Sequence, residues 1–201
     1  MADWQSYYRK TRDGSPDPVL AFACARVPAD LPHIAIDCGC GGGRGSAFLL
    51  DQGFEVYGFD ADPASEQVCV ERFKANDKAH FTTATFASFD YPRASLVAAN
   101  YSLFFCPADE FDAGWQKITA AVMPGGVFAG TFLGPDDTWA RLGHVTDMED
   151  AKVIFHSEPE VRDLLAGFDI LETDVKRFNG ESASGEKKFW HTITMVAQRN
   201  P

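Results

Sequence analysis

Residues 34–43 read Ile34-Ala35-Ile36-Asp37-Cys38-Gly39-Cys40-Gly41-Gly42-Gly43, and residues 56–60 read Val56-Tyr57-Gly58-Phe59-Asp60. The short apolar run from Ile34 has the length of a buried strand. The glycines behind it let the backbone turn tightly and approach a ligand, because no Cβ stands in the way. Ala47, Phe48, Leu49 and Leu50 make the next segment a helix ending near Gly53, and a second strand over 54–59 ends at the carboxylate of Asp60. In an α/β sheet, a glycine turn after the first strand and an acid after the second frame a nucleoside, whose ribose hydroxyls the acid can hold.

The glycine spacing narrows the nucleoside. A dinucleotide fingerprint needs G-x-G-x-x-G/A. Counting from Gly39 and Gly41, the third position is Arg44; counting from Gly41 and Gly43, it is Ser46. The Lys-Ser/Thr pair of a phosphate-binding P-loop is also missing. The pattern that does stand, Asp37-x-Gly39-x-Gly41-x-Gly43, resembles the first motif of class I S-adenosylmethionine-dependent methyltransferases of the small-molecule type. Leu96 to Leu103 is similar to that family's fourth-strand motif, and Pro124-Gly125-Gly126 to its turn before the fifth strand. Gly185 to His191 is similar to the segment before the last strand in relatives of the tellurite-resistance type. The resemblance covers residues 33–133.

The resemblance implies S-adenosylmethionine as cofactor and S-adenosylhomocysteine as product. It implies Asp37 near the amino group, Gly39 and Gly41 against the methionine and ribose, with Cys40 and Gly43 in the same turn. It implies Asp60 on the ribose with Ala61 beside it, and Asn100 facing the transfer centre. Where the family often carries an acid toward adenine, this chain has Thr85, so main-chain groups at Phe86 and Ala87 are the expected substitutes. Arg44 is a candidate for the cofactor carboxylate.

Strands alternate with helices along the chain, which predicts a doubly wound α/β sheet. Seven strands are expected near 34–36, 54–59, 80–83, 95–100, 127–133, 168–178 and 188–198. The last two are joined by a polar Gly/Ser turn over 179–186 with no helix, so the last strand runs antiparallel. The result is a Rossmann-like sheet, mostly parallel, in one domain spanning 1–201. Within it, 1–30 is read as a helical lid, 33–133 as the cofactor core and 134–201 as the substrate side. Asp17-Pro18 and Asp62-Pro63 read as helix starts, Ser157-x-x-Glu160 as a capping box. The stretch 134–155 carries no motif.

The substrate is expected at the C-terminal strand ends beside the cofactor. Tyr7 and Tyr8 of the lid, Tyr101, Phe104, Phe132 and Trp139 are the candidates, forming an apolar pocket whose π faces could also attract a cation or sulfonium. No catalytic residue is assigned. Methyl transfer from a sulfonium rests on alignment, which alone supplies ~7–11 kcal/mol of barrier reduction. His144, His156 and His191 are the histidines open to acid–base work.

With 201 residues and a net charge of −11, a nucleic-acid partner is disfavoured, since phosphate binding needs a concentrated basic surface. Asn100-Tyr101-Ser102-Leu103 also lacks the prolines of nucleic-acid amino methyltransferases. Lys187-Lys188 and Arg9-Lys10 read as solvated surface. No apolar stretch has the length to cross a bilayer, and no secretory signal opens the chain. Five cysteines without C-x-x-C fit a reducing cytoplasm and no metal site. The expected partner is a small molecule; oligomeric state is unconstrained. Two other function classes remain: a nicotinamide-dependent oxidoreductase, and a non-catalytic module on the same fold.

Overall fold

The computed structural model describes residues 4–145, 152–182 and 185–201, with the side chains of residues 5–7 excepted. The elements in chain order are α1 (Trp4–Thr11), α2 (Pro18–Cys24), β1 (Ile34–Cys38), α3 (Arg44–Asp51), β2 (Glu55–Asp60), α4 (Pro63–Phe73), β3 (Ala79–Thr83), β4 (Ala94–Ala99), α5 (Phe111–Ala121), β5 (Val122–Leu133), α6 (Thr138–Leu142), α7 (Glu158–Leu164), β6 (Phe168–Glu181) and β7 (Lys187–Arg199). One seven-stranded sheet forms in the order β3-β2-β1-β4-β5-β7-β6. The β3-β2-β1-β4-β5 pairs are parallel, whereas β7 runs antiparallel to both β5 and β6. This is the expected sheet, mostly parallel with a reversed last strand.

Successive strand residues face opposite sides of the sheet, and the two sides hold separate cores. Ile36, Val97 and Phe128 pack with Trp115 and Ile118 of α5 and Val161 of α7. Ala35, Leu96 and Ala129 pack with Ala23 of α2 and Leu49 of α3. All six residues of β4 are buried, as a central parallel strand covered on both faces requires. The helix starts are capped as read: Asp17 accepts from Val19 N, Asp62 from Ala64 N, and Ser157 and Glu160 form the reciprocal box.

Two expectations are corrected. Pro124-Gly125-Gly126 does not precede β5 but lies inside it. Val122 pairs with Ala94 and Val127 with Leu96, so the turn is a bulge in a continuous strand, made possible by Gly125 at φ 75°. The turn after β6 is shorter than its composition suggests, because Asn179, Gly180 and Glu181 pair with Phe189, Lys188 and Lys187. These residues are polar because β6 is an edge strand, open to water rather than packed on both faces. The motif-free stretch after Gly134 contains α6, started by the Asp137 side chain on Trp139 N.

Candidate cofactor and substrate cleft

At the C-terminal ends of β1, β2 and β4 opens a cleft of about 1090 Å³. It lies just above the range of roughly 300–1,000 Å³ usual for one small ligand. One half is lined by Asp37, Gly39, Cys40, Gly41, Arg44, Asp60, Ala61, Asp62 and Ala84 to Phe86. The other is lined by Trp4, Tyr101, Phe104, Phe105, Trp139 and Trp190.

The glycine turn is built on positive φ: Gly39 at 70°, Gly41 at 51° and Gly43 at 73°. Its shape is held from three sides. Gly39 N and Cys40 N donate to Phe59 O at 2.8 and 2.9 Å. Ser65 Oγ and Cys69 Sγ donate to Gly41 O at 2.6 and 3.3 Å, and Arg72 Nη1 donates to Gly42 O at 2.8 Å. Ser65, Cys69 and Arg72 are spaced i, i+4, i+7, one stripe of α4; sequence reasoning missed them, although that spacing after Pro63 was the available signal. From above, α1 lies directly on the turn: a Cβ on Gly42 would meet Tyr8 O at 2.8 Å, and one on Gly41 would meet the Tyr8 ring at 3.3 Å.

Gly39 has the least freedom. A Cβ there would fall 2.4 Å from Ser102 Cβ, and Ser102 Oγ donates to Cys38 O at 2.6 Å, tying the β4 end to the β1 end. Gly39→Ala combines that overlap with a left-handed backbone costing roughly 1–2 kcal/mol for an L-residue. We expect thermal melting to show a loss of several degrees, with the Ser102 link broken.

Two acids face this half, Asp37 buried and Asp60 half-buried. Asp37 accepts from Ser46 Oγ at 2.7 Å, and burial pushes its carboxyl up from the ordinary 3.8 to about 6, against the pull of the Ser46 bonds. Asp60 is the hub of the turn. Oδ2 accepts from Gly41 N at 2.9 Å and Oδ1 from Asp62 N at 3.0 Å, and burial raises its carboxyl as well. Each Asp60 oxygen keeps a lone pair for one more donor. Tyr8 OH donates to Asp62 Oδ2 at 3.1 Å, which brings α1 to the same cluster.

The end of β4 is the other unusual place. Tyr101 has φ 52°, the single positive φ outside glycine among the described residues, a conformation that costs ~1–3 kcal/mol and tends to mark functional sites. Beside it, both Nδ2 and Oδ1 of Asn100 are shielded from solvent without a hydrogen-bond partner among the described residues. A native structure rarely leaves a whole amide unsatisfied without a use for it.

The remaining sequence candidates divide. Ala61, Phe86, Tyr8, Tyr101, Phe104 and Trp139 line the cleft. Gly43 does not; it starts α3 and faces Phe73 and Cys69. Ala87 is also outside it, its carbonyl taken by Lys117 Nζ at 2.5 Å. Phe132 is a core residue, 5.8 Å from Trp115 and 6.4 Å from Phe128, because strand alternation turns it away from the cleft. The Tyr7 side chain lies outside the described residues. His191 is buried and is not a cleft residue. Its Nδ1 accepts from Asp136 N at 3.1 Å, and burial lowers its pKa, which keeps the ring neutral and structural.

Lys188 is the largest correction. Read as solvated surface, it is fully buried: Nζ lies 2.6 Å from Asp137 Oδ1, and neither side chain has exposed surface. Asp137 also accepts from Trp139 N at 2.9 Å and His191 N at 3.0 Å. It therefore locks α6 to β7 behind the aromatic half of the cleft.

The methyltransferase domain family model matches residues 35–126. The trans-aconitate 2-methyltransferase of Methylobacterium radiotolerans is 32% identical over 133 residues, covering 64% of this chain and 49% of that protein. The chain spans about half the length, 49% and 43%, of the curated relatives it matches. TehB from Haemophilus influenzae superposes with a TM-score of 0.71 at 15% identity, over 96% of this chain and 66% of that one. The Burkholderia thailandensis 1,6-didemethyltoxoflavin-N1-methyltransferase, crystallised with its substrate and S-adenosylhomocysteine, gives a TM-score of 0.68 at 22% identity, over 99% and 86%. These two structures share the fold of the chain. No described helix is long and apolar enough to cross a membrane.

Proposed function

We propose that this protein, whose residues 35–126 match the methyltransferase domain family model, binds S-adenosylmethionine and transfers its methyl group to a small-molecule nucleophile. The observation that carries the proposal is the charge of the cofactor half. Among the described residues lining it, Asp17, Asp37, Asp60 and Asp62 stand against Arg44. Such a surface suits a ligand bearing an ammonium and a sulfonium, and repels the pyrophosphate of a nicotinamide dinucleotide. The glycine turn and the unpartnered Asn100 amide fit the same ligand, one as a cradle without Cβ atoms, the other as a donor and acceptor in want of a partner.

When bound, S-adenosylmethionine would supply an electrophilic methyl carbon on a sulfonium, with a neutral thioether as its leaving group. The chain's own residues would hold and orient it. Asp60 would take the ribose hydroxyls on its two remaining lone pairs, Asp37 would hold the amino group, and Arg44 the carboxylate. Thr85 and Phe86 would wall the adenine. Asn100 and the strained Tyr101 sit where the two halves of the cleft meet. Tyr8 on Asp62, with Trp4 stacked on Tyr8 at 6.2 Å, supports reading α1 as a cover over residues 33–133, with 134–201 shaping the substrate side of a single domain. The net charge of −11 supports a small acceptor rather than nucleic acid. The free cysteines among the described residues support a cytoplasmic location.

The test is calorimetry with S-adenosylhomocysteine and with NAD. We expect the first to bind and the second not; the reverse result would replace this reading with the oxidoreductase. Proton linkage adds a sharper signature. A raised carboxyl gives its stabilising contribution in full below its ordinary 3.8 and loses it as pH rises through about 6. Binding an ammonium requires the ionised form. Affinity for S-adenosylhomocysteine should therefore rise from about pH 4 to about pH 6 and then level. At pH 5 binding should release up to one proton, seen as a buffer-dependent heat, and Asp37→Asn should remove both effects.

A further inference from the structure

The walls of the cleft carry far more negative than positive charge. Among the described residues, Asp17, Asp37, Asp60, Asp62, Asp109 and Glu181 line it against Arg44 and Lys152. None of those six acids stands in an ion pair among the described residues. The hydrogen bonds they accept come from neutral donors: Val19 N on Asp17, Ser46 Oγ on Asp37, Gly41 N and Asp62 N on Asp60, Tyr8 OH on Asp62. Such bonds hold a carboxylate in place and leave its charge intact. The cations behind the lining are different. Lys188 lies 3.4 Å from the ring centroid of Trp139 and 3.5 Å from that of Trp190, and Asp137 neutralises it at 2.6 Å. Lys176 is held by Asp174 at 2.6 Å. These pairs cancel, and the unpaired acids set the field inside the cleft.

The proposed cofactor uses only part of that surplus, through Asp37, Asp60 and Asp62. Asp17 acts further in: after burial, its charge is the next cause holding the Tyr101 hydroxyl above the ordinary phenol range. Asp109 and Glu181 stand exposed at the mouth, with Lys152 as their counterweight. Glu181 is fixed beside the second half by its own carbonyl, which accepts from Trp190 Nε1 at 3.3 Å. The same half is lined by the partly exposed rings of Trp4 and Phe105, edge-on at 5.9 Å, and by the exposed Phe178. Unpaired carboxylates attract a cation and repel an anion, and aromatic faces add to the same preference. The net charge of −11 extends it to the approach.

We infer that the cleft selects its methyl acceptor by charge: a small molecule bearing a cationic group (ammonium, amidinium or quaternary nitrogen) remote from the accepting atom is preferred to a carboxylate or phosphate of the same shape. Asp109 and Glu181 determine this specificity at the mouth, and Lys152 opposes them. The inference rests on the methyl-transfer reading for the fate of the ligand, and on the lining charges for which ligand is admitted.

The experiment is calorimetry on the full chain saturated with S-adenosylhomocysteine, titrated with three ligands of one ring and different charge: 2-naphthylmethylammonium, 2-naphthalenemethanol and 2-naphthoate. We expect the ammonium to bind roughly tenfold or more tighter than the naphthoate, with the alcohol between them and the gap narrowing at high salt. Equal affinities, a tighter naphthoate, a gap indifferent to salt, or no binding of the ammonium at millimolar concentration would overturn the inference. Asp109→Asn combined with Glu181→Gln should shrink the gap, and Lys152→Gln should widen it. A gap that ignores all three substitutions places the cation elsewhere on the acidic surface and overturns the inference as well. S-adenosylhomocysteine binding, measured first, reports that each variant is folded. Its absence in the parent sinks the methyl-transfer reading and this inference with it, whereas its presence without a preference for the cation sinks only this one.

Discussion

Asp60→Ala should lower the affinity for S-adenosylhomocysteine on the order of 100-fold or more in a calorimetric titration. The carboxylate spends one lone pair of each oxygen on Gly41 N and Asp62 N, and in the proposed complex the others would take two ribose hydroxyls. Hydrogen bonds to a charged acceptor contribute ~1.5–3 kcal/mol each, and each ~1.4 kcal/mol is tenfold. The free protein should suffer less. Burial already raises the Asp60 carboxyl, so ionising it costs the empty fold, and removing it cancels that cost while releasing two backbone donors at the rim of the cleft. Melting temperature should thus move far less than affinity, as expected where a site is held in a state suited to its ligand rather than to stability. Asp60→Asn sharpens the test. Its NH₂ group would confront one of the two backbone N–H donors, so it should lose most of the affinity despite its similar size. An Asp60→Ala variant that binds as tightly as the parent would remove the ribose from this acid.

The two halves of the cleft differ in how much of them can be read from residues in order. Gly39, Gly41 and Asp60 announce themselves because their signals are local: glycines at fixed spacing behind an apolar run, and an acid at the end of the next one. The parallel sheet with its reversed last strand follows from the same alternation of strands and helices and from the helix-free link between the last two strands. Residues 124–126 mislead because Pro-Gly-Gly has the composition of a chain break, whereas the register of β4 against β5 turns it into a bulge. The polar end of β6 misleads because an edge strand needs no apolar face. Lys188 is the plainest case. Two adjacent lysines in an acidic chain belong in water by any local rule, and only the pairing of residues 51 positions apart, Asp137 with Lys188, makes burial possible. Trp190 owes its place in the cleft to that same long-range closure, as does α6. Glycine turns are encoded locally and aromatic walls largely by tertiary packing, so the glycine-turn half was legible, whereas in the aromatic half Tyr101, Phe104 and Trp139 were legible and Trp190 and the Lys188–Asp137 pair were not.

Lys188→Met should destabilise the protein strongly, by ~3–5 kcal/mol in urea unfolding if the pair behaves as a buried ion pair stripped of one partner. Methionine keeps the length and the apolar contact with both indoles, so the loss isolates the charge. What it leaves is the Asp137 carboxylate, without exposed surface, still accepting from Trp139 N and His191 N. Those two donors soften the penalty and point to the lower end of the range. Combining Lys188→Met with Asp137→Asn should recover part of the loss, because the buried charge is gone. Recovery cannot be complete, since the asparagine NH₂ must face one of the same backbone donors. The double-mutant cycle should then give a coupling of ~1–3 kcal/mol. A cost for Lys188→Met below ~1 kcal/mol, with no coupling to Asp137, would mean that the amine between the two indoles is not a paired ammonium.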